Sequence, residues 1–342
     1  MDRRAFLGAS AIVLATIAAR GQAFAGTGKP AQARVIIDND FAGDPDGLFQ
    51  LAHHLLSPSL DIPLLVSSHL PVAFGGLTSA QDGVAKVEQL TKAMAIASPP
   101  PVLAGAPLPI ANRAAWKPSP ATAAIVREAL REDTEAPLVY AAGASLTELA
   151  LAWLAEPRIG RRLKLVWIGG REHPGLALPP PGPDEAEFNF TIDPIAAQVI
   201  FNESDIEIWQ VPRDAYRQML YSNAELDELA GSGPIGAFLK DELDKMAANL
   251  AHIPAFAAMP ASETYVLGDS PLVTLTALLS PIQPDPSSSR YVAMPTPRLA
   301  DDGRYQTRAG ARPMRVYTAI DSRLTIRDMT AKFRAHARAS GG

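Results

Sequence analysis

The sequence of 342 residues contains no cysteine, which excludes disulfide bonds and metal centres with thiolate ligands. It has no long run of lysine and arginine and a net charge of −5, so we predict that it does not bind nucleic acid. Aromatic residues are scarce at 6%, while the hydrophobic fraction of 47% is ordinary for a globular protein. Proline, by contrast, is abundant, and its clusters at 98–109, 174–183 and 281–297 predict rigid loops over a folded core.

The first 25 residues have the pattern of a twin-arginine signal peptide. Arg3 and Arg4 precede an apolar run, and a small-x-small cleavage motif stands at 23–25. The apolar run is too short for a comfortable transmembrane helix. We therefore predict export to the periplasm, no stable membrane span, and a mature chain that begins near Gly26. An uncleaved amphipathic anchor is the alternative.

Four aspartates follow the first strong strand pattern of the chain. The β-branched run at 35–37 predicts a buried parallel strand, and the carboxylates come within the next nine residues, at Asp38, Asp40, Asp44 and Asp46. In an open α/β sheet, ligands bind at the carboxyl ends of the strands. Neighbouring carboxylates repel one another unless a cation lies among them, and hard oxygen donors suit Ca²⁺ or Mg²⁺. This stretch therefore predicts the floor of a metal-dependent active site.

Strand and helix patterns alternate along the rest of the chain. Apolar strand patterns stand at 62–67, 137–142, 163–168 and 206–211, separated by stretches that include amphipathic helix patterns. This alternation predicts the α/β class, with a mostly parallel central sheet flanked by helices. Since no internal repeat and no linker is visible, we predict that residues 26–342 form a single domain.

Two other classes of protein also place acidic residues after a strand. An EF-hand is excluded because its pattern needs an acid or amide where Ala42 stands, and its bidentate glutamate is missing. A metal-dependent phosphatase of the haloacid dehalogenase type has an Asp-x-Asp after a strand, and the segment around Asp269 is similar to its late acidic motif. That class needs a further aspartate a few residues on, and 271–279 contains none. A phosphatase is therefore the less favoured alternative.

Five motifs in order resemble the nucleoside hydrolase family more closely. The acidic stretch is similar to the family's Asp-x-Asp…Asp-Asp cluster, and four later motifs follow in the family's order: Leu146-Thr147, Ile168-Gly169-Gly170, Glu187-Phe188-Asn189 with Asp193-Pro194, and Asp269 before Pro271-Leu272. The resemblance implies a Rossmann-like nucleoside hydrolase architecture in a divergent exported member. It also implies hydrolysis of the N-glycosidic bond of a nucleoside or a related ribosyl compound.

The resemblance further implies roles for particular residues. A Ca²⁺ ion would be bound by the carbonyl oxygen of Thr147 and by carboxylates, namely Asp40, Asp44, Asp46 and Asp269. Asp40 would act as general base on a metal-activated water. Glu187 and Asn189 would orient the sugar as charge develops at the anomeric carbon, and Asp44 and Asp46 are also candidates for substrate binding.

Two histidines are further candidates for the site. His69 ends the second predicted strand, on the side of the sheet where ligands bind, and is a candidate for substrate binding. His173 lies in a glycine- and proline-flanked loop and is the candidate acid that protonates the leaving group.

One departure from the family pattern leaves two alternatives for the ligands of the metal site. The adjacent Asp-Asp pair of the family is replaced by Asp44-Pro45-Asp46-Gly47. Either Asp44 and Asp46 share the two roles, or a metal ligand has been lost at Gly47. The alternative function is accordingly a non-catalytic exported protein that binds a sugar or nucleoside. In either case the partner is a small molecule, and a homo-oligomer is compatible with the resemblance because relatives often form dimers or tetramers.

Overall fold

The computed structural model describes residues 30–340, so the predicted signal peptide lies outside the described residues. The strands are Ala33–Asn39 (β1), Leu60–Ser67 (β2), Val102–Ala104 (β3), Leu138–Ala142 (β4), Leu163–Ile168 (β5), Glu207–Val211 (β6), Leu220–Ser222 (β7), Thr264–Val266 (β8), Arg290–Pro295 (β9), Arg298–Leu299 (β10), Tyr305–Gln306 (β11) and Pro313–Ala319 (β12).

The α-helices are Asp46–Leu55 (α1), Val72–Gly75 (α2), Ser79–Ala93 (α3), Thr122–Ala129 (α4), Thr147–Ala155 (α5), Phe188–Ile192 (α6), Pro194–Asn202 (α7), Arg213–Tyr216 (α8), Asn223–Ala230 (α9), Pro234–Leu250 (α10), Pro254–Ala257 (α11), Pro271–Thr274 (α12) and Ser322–Ser340 (α13). Short 3₁₀ helices stand at Arg113–Ala115 and Pro157–Arg161. No helix within residues 30–340 is long and apolar enough to cross a membrane.

Eight strands form the central sheet in the order β3-β2-β1-β4-β5-β6-β12-β9. All neighbours are parallel except β9, which pairs antiparallel with β12 at the edge. The predicted mostly parallel sheet is therefore confirmed. The register places Ile37 of β1 opposite Leu65 of β2 and Ala141 of β4, so these three strands end at the same edge of the sheet.

Helices cover both faces of the sheet, which explains why every residue of β1 is buried. Val35 and Ile37 lie in one core with residues of α1, α3, α10 and α13. Ile36 points to the other face and lies in a core with residues of α4, α5 and α7. Burial of an aliphatic side chain of this size stabilises the fold by about 1.5–3 kcal/mol. Packing on both faces thus holds β1 rigidly and fixes the position of its carboxyl end.

The predicted helix at 272–279 is shorter in the structure. α12 ends at Thr274, and the hydroxyl group of Thr276 donates to the carbonyl oxygen of Leu272. The carbonyl oxygens of Thr276 and Ala277 accept hydrogen bonds from the side chain of Gln32, so they are not bonded to a following helical turn. Side-chain hydrogen bonds therefore compete with the helix here and end it early.

Candidate active site

The carboxyl end of β1 brings together acidic residues from opposite ends of the sequence. Asn39 Nδ2 donates to Asp269 Oδ2 at 2.8 Å, across 230 positions of sequence. The backbone N–H of Asp269 donates to Asp46 Oδ2 at 3.2 Å, where Asp46 begins α1. Asp40 follows β1 directly and lines the same cleft. The sheet edge and the start of α1 thus gather three carboxylates, those of Asp40, Asp46 and Asp269.

The environment of these three carboxyl groups disfavours their ionisation. Burial is the main cause that raises the pKa of Asp40 and Asp46 well above the ordinary value, and the charge of Asp269 is the next. Burial also raises the pKa of Asp269 to about 7. No lysine, arginine or histidine among residues 30–340 forms an ion pair with any of the three. The cluster therefore holds uncompensated negative charge when it is ionised.

The three carboxylates form the floor of a cleft of about 570 Å³, a size that suits a small molecule. Gly143, Ile168 and Asn189 line one wall. Phe74 and Phe188 are exposed aromatic residues of the lining, and their rings meet edge to face at 5.8 Å. The cleft therefore combines an acidic floor with an exposed pair of aromatic rings.

Asp44 and Asp46 occupy different depths in this cleft. Both line it, but Asp44 is exposed at its outer end, whereas Asp46 is partly buried and contacts the backbone of Asp269. Asp44 Oδ1 accepts the N–H of Asp46 at 3.3 Å and so shapes the turn before α1. Of the two carboxylates, Asp46 is the one at the acidic floor.

Asp38 lies behind the cleft rather than in it. Its carboxyl group is fully buried and accepts hydrogen bonds from the hydroxyl groups of Ser68 and Tyr140. Burial, and secondly the charge of Glu148, raises the pKa of Asp38 to about 7. Asp38 therefore organises the ends of β1, β2 and β4 from within the core.

Glu187 is placed at the cleft but its carboxylate is already saturated. Oε2 accepts the N–H groups of Gly170 at 2.7 Å and Phe190 at 3.0 Å. Oε1 accepts the N–H of Asn189 and the hydroxyl of Tyr216, both at 3.1 Å. Since a carboxylate has about four lone-pair sites, Glu187 acts in this structure as the N-cap of α6. A sugar hydroxyl would have to take the place of one of these donors, and Tyr216 is the one that a side-chain rotation removes.

Asn189 has one polar atom left for a ligand. Its Nδ2 donates to the carbonyl oxygens of Gly143 at 3.0 Å and Ile168 at 2.8 Å, so both amide hydrogens are used. Its Oδ1 accepts no hydrogen bond from any described residue. Because Asn189 lines the cleft, this oxygen is the acceptor that it offers to a sugar hydroxyl.

Three of the sequence-predicted residues are not brought to the cleft. Thr147 begins α5, its hydroxyl donates to Asp193 at 2.8 Å, and it is not among the residues that line the cleft. The role of its carbonyl oxygen as a metal ligand stays a prediction. His173 is buried against Tyr305, with ring centroids 3.9 Å apart, and its Nε2 bonds to Gln210. His69 is also buried. Burial lowers the pKa of both histidines to about 4, so each ring is neutral near pH 7.

Sequence reasoning missed two polar residues that the structure places at the site. Tyr216 lines the cleft and bonds to Glu187, and nothing in its local sequence marks it. Asn39 contacts Asp269 and stands between two of the predicted aspartates. Its place in the sequence was therefore a usable signal, since a polar residue at the end of a buried strand needs a partner.

The described residues contain no preformed metal shell. Within 30–340, no group of three His, Cys, Asp or Glu side chains is arranged so that it could hold an ion. The three carboxylates of the floor are neighbours without converging on one point. Their donor type, oxygen only and anionic, nevertheless matches the preference of hard divalent cations.

The fold and the cleft define an α/β protein with a cleft of small-molecule size at the carboxyl end of its central parallel strands. The sequence model of the inosine-uridine preferring nucleoside hydrolase family matches residues 35–326. The chain therefore belongs to this family, and the resemblance noted from the motifs is confirmed.

Individual relatives agree with this assignment. The inosine-uridine preferring nucleoside hydrolase of Crithidia fasciculata is 48% identical over 67 residues, which span 19% of this chain and only 18% of that protein. The purine-preferring ribonucleoside hydrolase from Gardnerella vaginalis has a similar structure, with a TM-score of 0.67 at 16% identity over 89% of this chain and 99% of its own. A plant nucleoside hydrolase gives a TM-score of 0.65 at 18% identity, with the same coverage. At these identities the structural likeness establishes the fold.

Proposed function

We propose that the protein hydrolyses the N-glycosidic bond of a nucleoside, with Asp40 as the general base. The observation that carries this proposal is the meeting of Asp269 with Asp46 and Asn39 beside Asp40, at the floor of a cleft of suitable size. Membership of the nucleoside hydrolase family supports the reaction class. The names of the relatives refer to inosine, uridine and purine ribonucleosides, which are the substrates to test first.

We also propose that the cluster binds a divalent cation, with Ca²⁺ as the first candidate. The uncompensated charge of Asp40, Asp46 and Asp269 supports this, because burial raises their pKa values and a cation among them would favour the ionised carboxylates. These three carboxylates would hold it once their side chains converge on the ion. When bound, such an ion supplies a site for the sugar diol and lowers the pKa of a coordinated water.

The side chains of the cleft divide the remaining tasks. Asp40 accepts the proton of the attacking water at its carboxylate, and its raised pKa makes the ionised carboxylate a stronger proton acceptor. Asn189 Oδ1 accepts a hydrogen bond from a sugar hydroxyl, because its amide hydrogens are already committed. Phe74 and Phe188 give the departing base an apolar surface at the mouth of the cleft. We further propose that the mature protein works in the periplasm, after removal of the predicted signal peptide.

The test is release of reducing sugar from inosine and uridine, with and without Ca²⁺, by the parent protein and by Asp40→Asn. We expect a loss of about 10²–10⁴-fold in kcat for this variant, which is the range of general base catalysis. Asp61→Asn, an exposed aspartate on β2, is the matched control and should keep the parent rate. Chelation should abolish sugar release, and added Ca²⁺ should restore it.

Two outcomes would replace the proposal by its alternatives. Nucleoside binding without sugar release by the parent protein would indicate the non-catalytic binding protein. Release of phosphate from a generic phosphate ester, with a requirement for Mg²⁺, would indicate a phosphatase. An active Asp40→Asn variant would contradict the assigned general base.

A further inference from the structure

The side chain of Asn39 fills a slot between two glycines at the end of β1. A Cβ atom on Gly47 would lie 2.8 Å from Asn39 Nδ2, and a Cβ atom on Gly143 would lie closer still. Real Cβ atoms do not approach other atoms at such distances, so neither position accepts a side chain while Asn39 is present. The amide of Asn39 therefore occupies the space next to α1 that a residue larger than glycine at 47 would need.

Every polar group of this amide is bonded to a residue of the site or its support. Asn39 Oδ1 accepts the backbone N–H of Asp40 at 2.9 Å. Asn39 Nδ2 donates one hydrogen to Asp269 at 2.8 Å and the other to Gln50 Oε1 at 3.3 Å. One neutral side chain thus fixes the start of the acidic loop and the carboxylate that arrives from the far end of the sequence.

A chain of buried hydrogen bonds determines which way this amide points. At its far end, the hydroxyl of Thr276 donates to the carbonyl oxygen of Leu272 at 2.6 Å, which uses its single hydrogen. With this hydrogen directed at Leu272, the nearer acceptor, Thr276 Oγ1 accepts from His54 Nε2, at 2.8 Å. His54 Nδ1 is then an acceptor, and the amide nitrogen of Gln50 donates to it. The carbonyl oxygen of Gln50 is left to face Asn39, whose Nδ2 must be the donor.

The chain of hydrogen bonds begins and ends on the same polypeptide segment, residues 269–276. Leu272 and Thr276 lie directly after Asp269, while Gln50 and His54 lie on α1. Gln50 and His54 are fully buried, and burial keeps His54 neutral by lowering its pKa well below the ordinary value. The segment 269–276 is thereby tied to β1 at one end and to α1 at the other.

We propose that Asn39 is the positioning residue of the acidic cluster and that Gln50, His54 and Thr276 fix the direction of its amide. The inference rests on the proposed function for its effect on turnover, but the hydrogen-bond chain itself does not. Asn39 holds the Asp269 carboxylate and the Asp40 backbone at a set spacing, and neither His54 nor Thr276 lines the cleft.

The test compares two variants that break the hydrogen-bond chain with a control variant at a neighbouring residue. Asn39→Leu keeps the branched shape and removes the hydrogen bonds, and His54→Leu acts from outside the cleft. His53→Leu is the control, because His53 is equally buried on α1 but bonds to Asp328 at 2.7 Å, outside the chain. For each folded variant, kcat and KM for inosine and the Kd for Ca²⁺ alone are measured, with thermal unfolding as the check of folding.

We expect kcat to fall by about 100-fold in Asn39→Leu and about tenfold in His54→Leu, the range for residues that orient ligating side chains. The Kd for Ca²⁺ should rise by about tenfold in both variants. KM should change little, because the residues of the hydrogen-bond chain do not line the cleft. His53→Leu should keep kcat and calcium affinity within about twofold even where it lowers the unfolding temperature. Equal effects of His53→Leu and His54→Leu on kcat and calcium affinity would overturn the inference.

A spectroscopic measurement tests the chain without substrate or calcium. The ¹⁵N chemical shifts of His54 in the parent protein should identify the neutral tautomer with hydrogen on Nε2. A hydrogen on Nδ1, or a charged ring near pH 7, would reverse the deduced directions and refute the inference. An absence of nucleoside turnover with the expected tautomer and calcium affinities would instead count against the proposed function alone.

Discussion

Replacing Asp38 by asparagine should change how the stability of the metal-free protein depends on pH. Burial, and secondly the charge of Glu148, raises the pKa of Asp38 from 3.8 to about 7. For a carboxyl group whose pKa is raised on folding, stability is fully present below the pKa of the unfolded chain and is lost as pH rises to the folded value. The pKa difference of Asp38 between the unfolded value of 3.8 and the folded value of about 7 corresponds to a loss of about 4 kcal/mol in the free energy of unfolding.

Asp38→Asn removes this loss because the amide cannot ionise, while its oxygen still accepts from the hydroxyl of Ser68 or Tyr140. The difference in unfolding free energy between variant and parent should therefore shift by about 4 kcal/mol in favour of the variant between about pH 4 and about pH 8. The assay is urea unfolding at several pH values, in the presence of a chelator.

Asp328→Asn is the control with the opposite sign. Burial raises the pKa of Asp328, but the hydrogen bonds of His53 and Lys332 outweigh it, and the net direction is downward. Loss of this carboxylate should therefore reduce stability as pH rises, since a lowered pKa contributes stability above the unfolded value. A pH-independent effect of Asp38→Asn, or the same sign for both variants, would refute the electrostatic account of β1.

Three further predictions concern other parts of the protein. Gly47→Ala should lower the unfolding free energy by about 1–3 kcal/mol through overpacking against the amide at the end of β1, whereas Gly231→Ala, with its nearest contact at 3.6 Å, should change it by less than about 0.5 kcal/mol in urea unfolding. Phe188→Ala should raise KM for inosine by about threefold to tenfold with little change in kcat, and an unchanged KM would contradict an apolar base site. Exchange of Arg3 and Arg4 for lysine should leave the precursor in the cytoplasm on cell fractionation, and an unaffected periplasmic level would refute twin-arginine export.

Much of the fold could be predicted from local hydrophobic patterns. The bounds of β5 agree with the prediction at 163–168, because an apolar run is stopped by two glycines. β9 was missed for a physical reason. It is an exposed edge strand within the proline-rich region 281–297, and Pro295 ends it, so neither burial nor alternation marks it in the sequence. Edge strands are specified by the strand that they pair with, here β12.

The floor of the cleft could also be predicted, because strand ends and motif order both point to the same residues. Asp40, Asp46 and Asp269 line the cleft together with Glu187 and Asn189, as the family resemblance implies. Thr147 does not line the cleft, and the part predicted for its carbonyl oxygen stays a prediction. Its placement depends on where the loop after β4 turns into α5, and this geometry is not encoded in a two-residue match.

What the sequence could not provide is the state of each hydrogen-bonding group after folding. Glu187 and His173 are both polar residues of a functional motif or loop, yet one carboxylate is saturated by four donors and one imidazole is buried against Tyr305. The number of lone pairs that remain free decides which residue can bind substrate, and this number depends on residues far away in sequence. Asn39 shows the converse, since its position in the sequence predicts that it needs a partner but only the structure identifies that partner as Asp269, at 2.8 Å. Motif matching therefore locates the cleft, whereas the count of satisfied donors and acceptors assigns the roles within it.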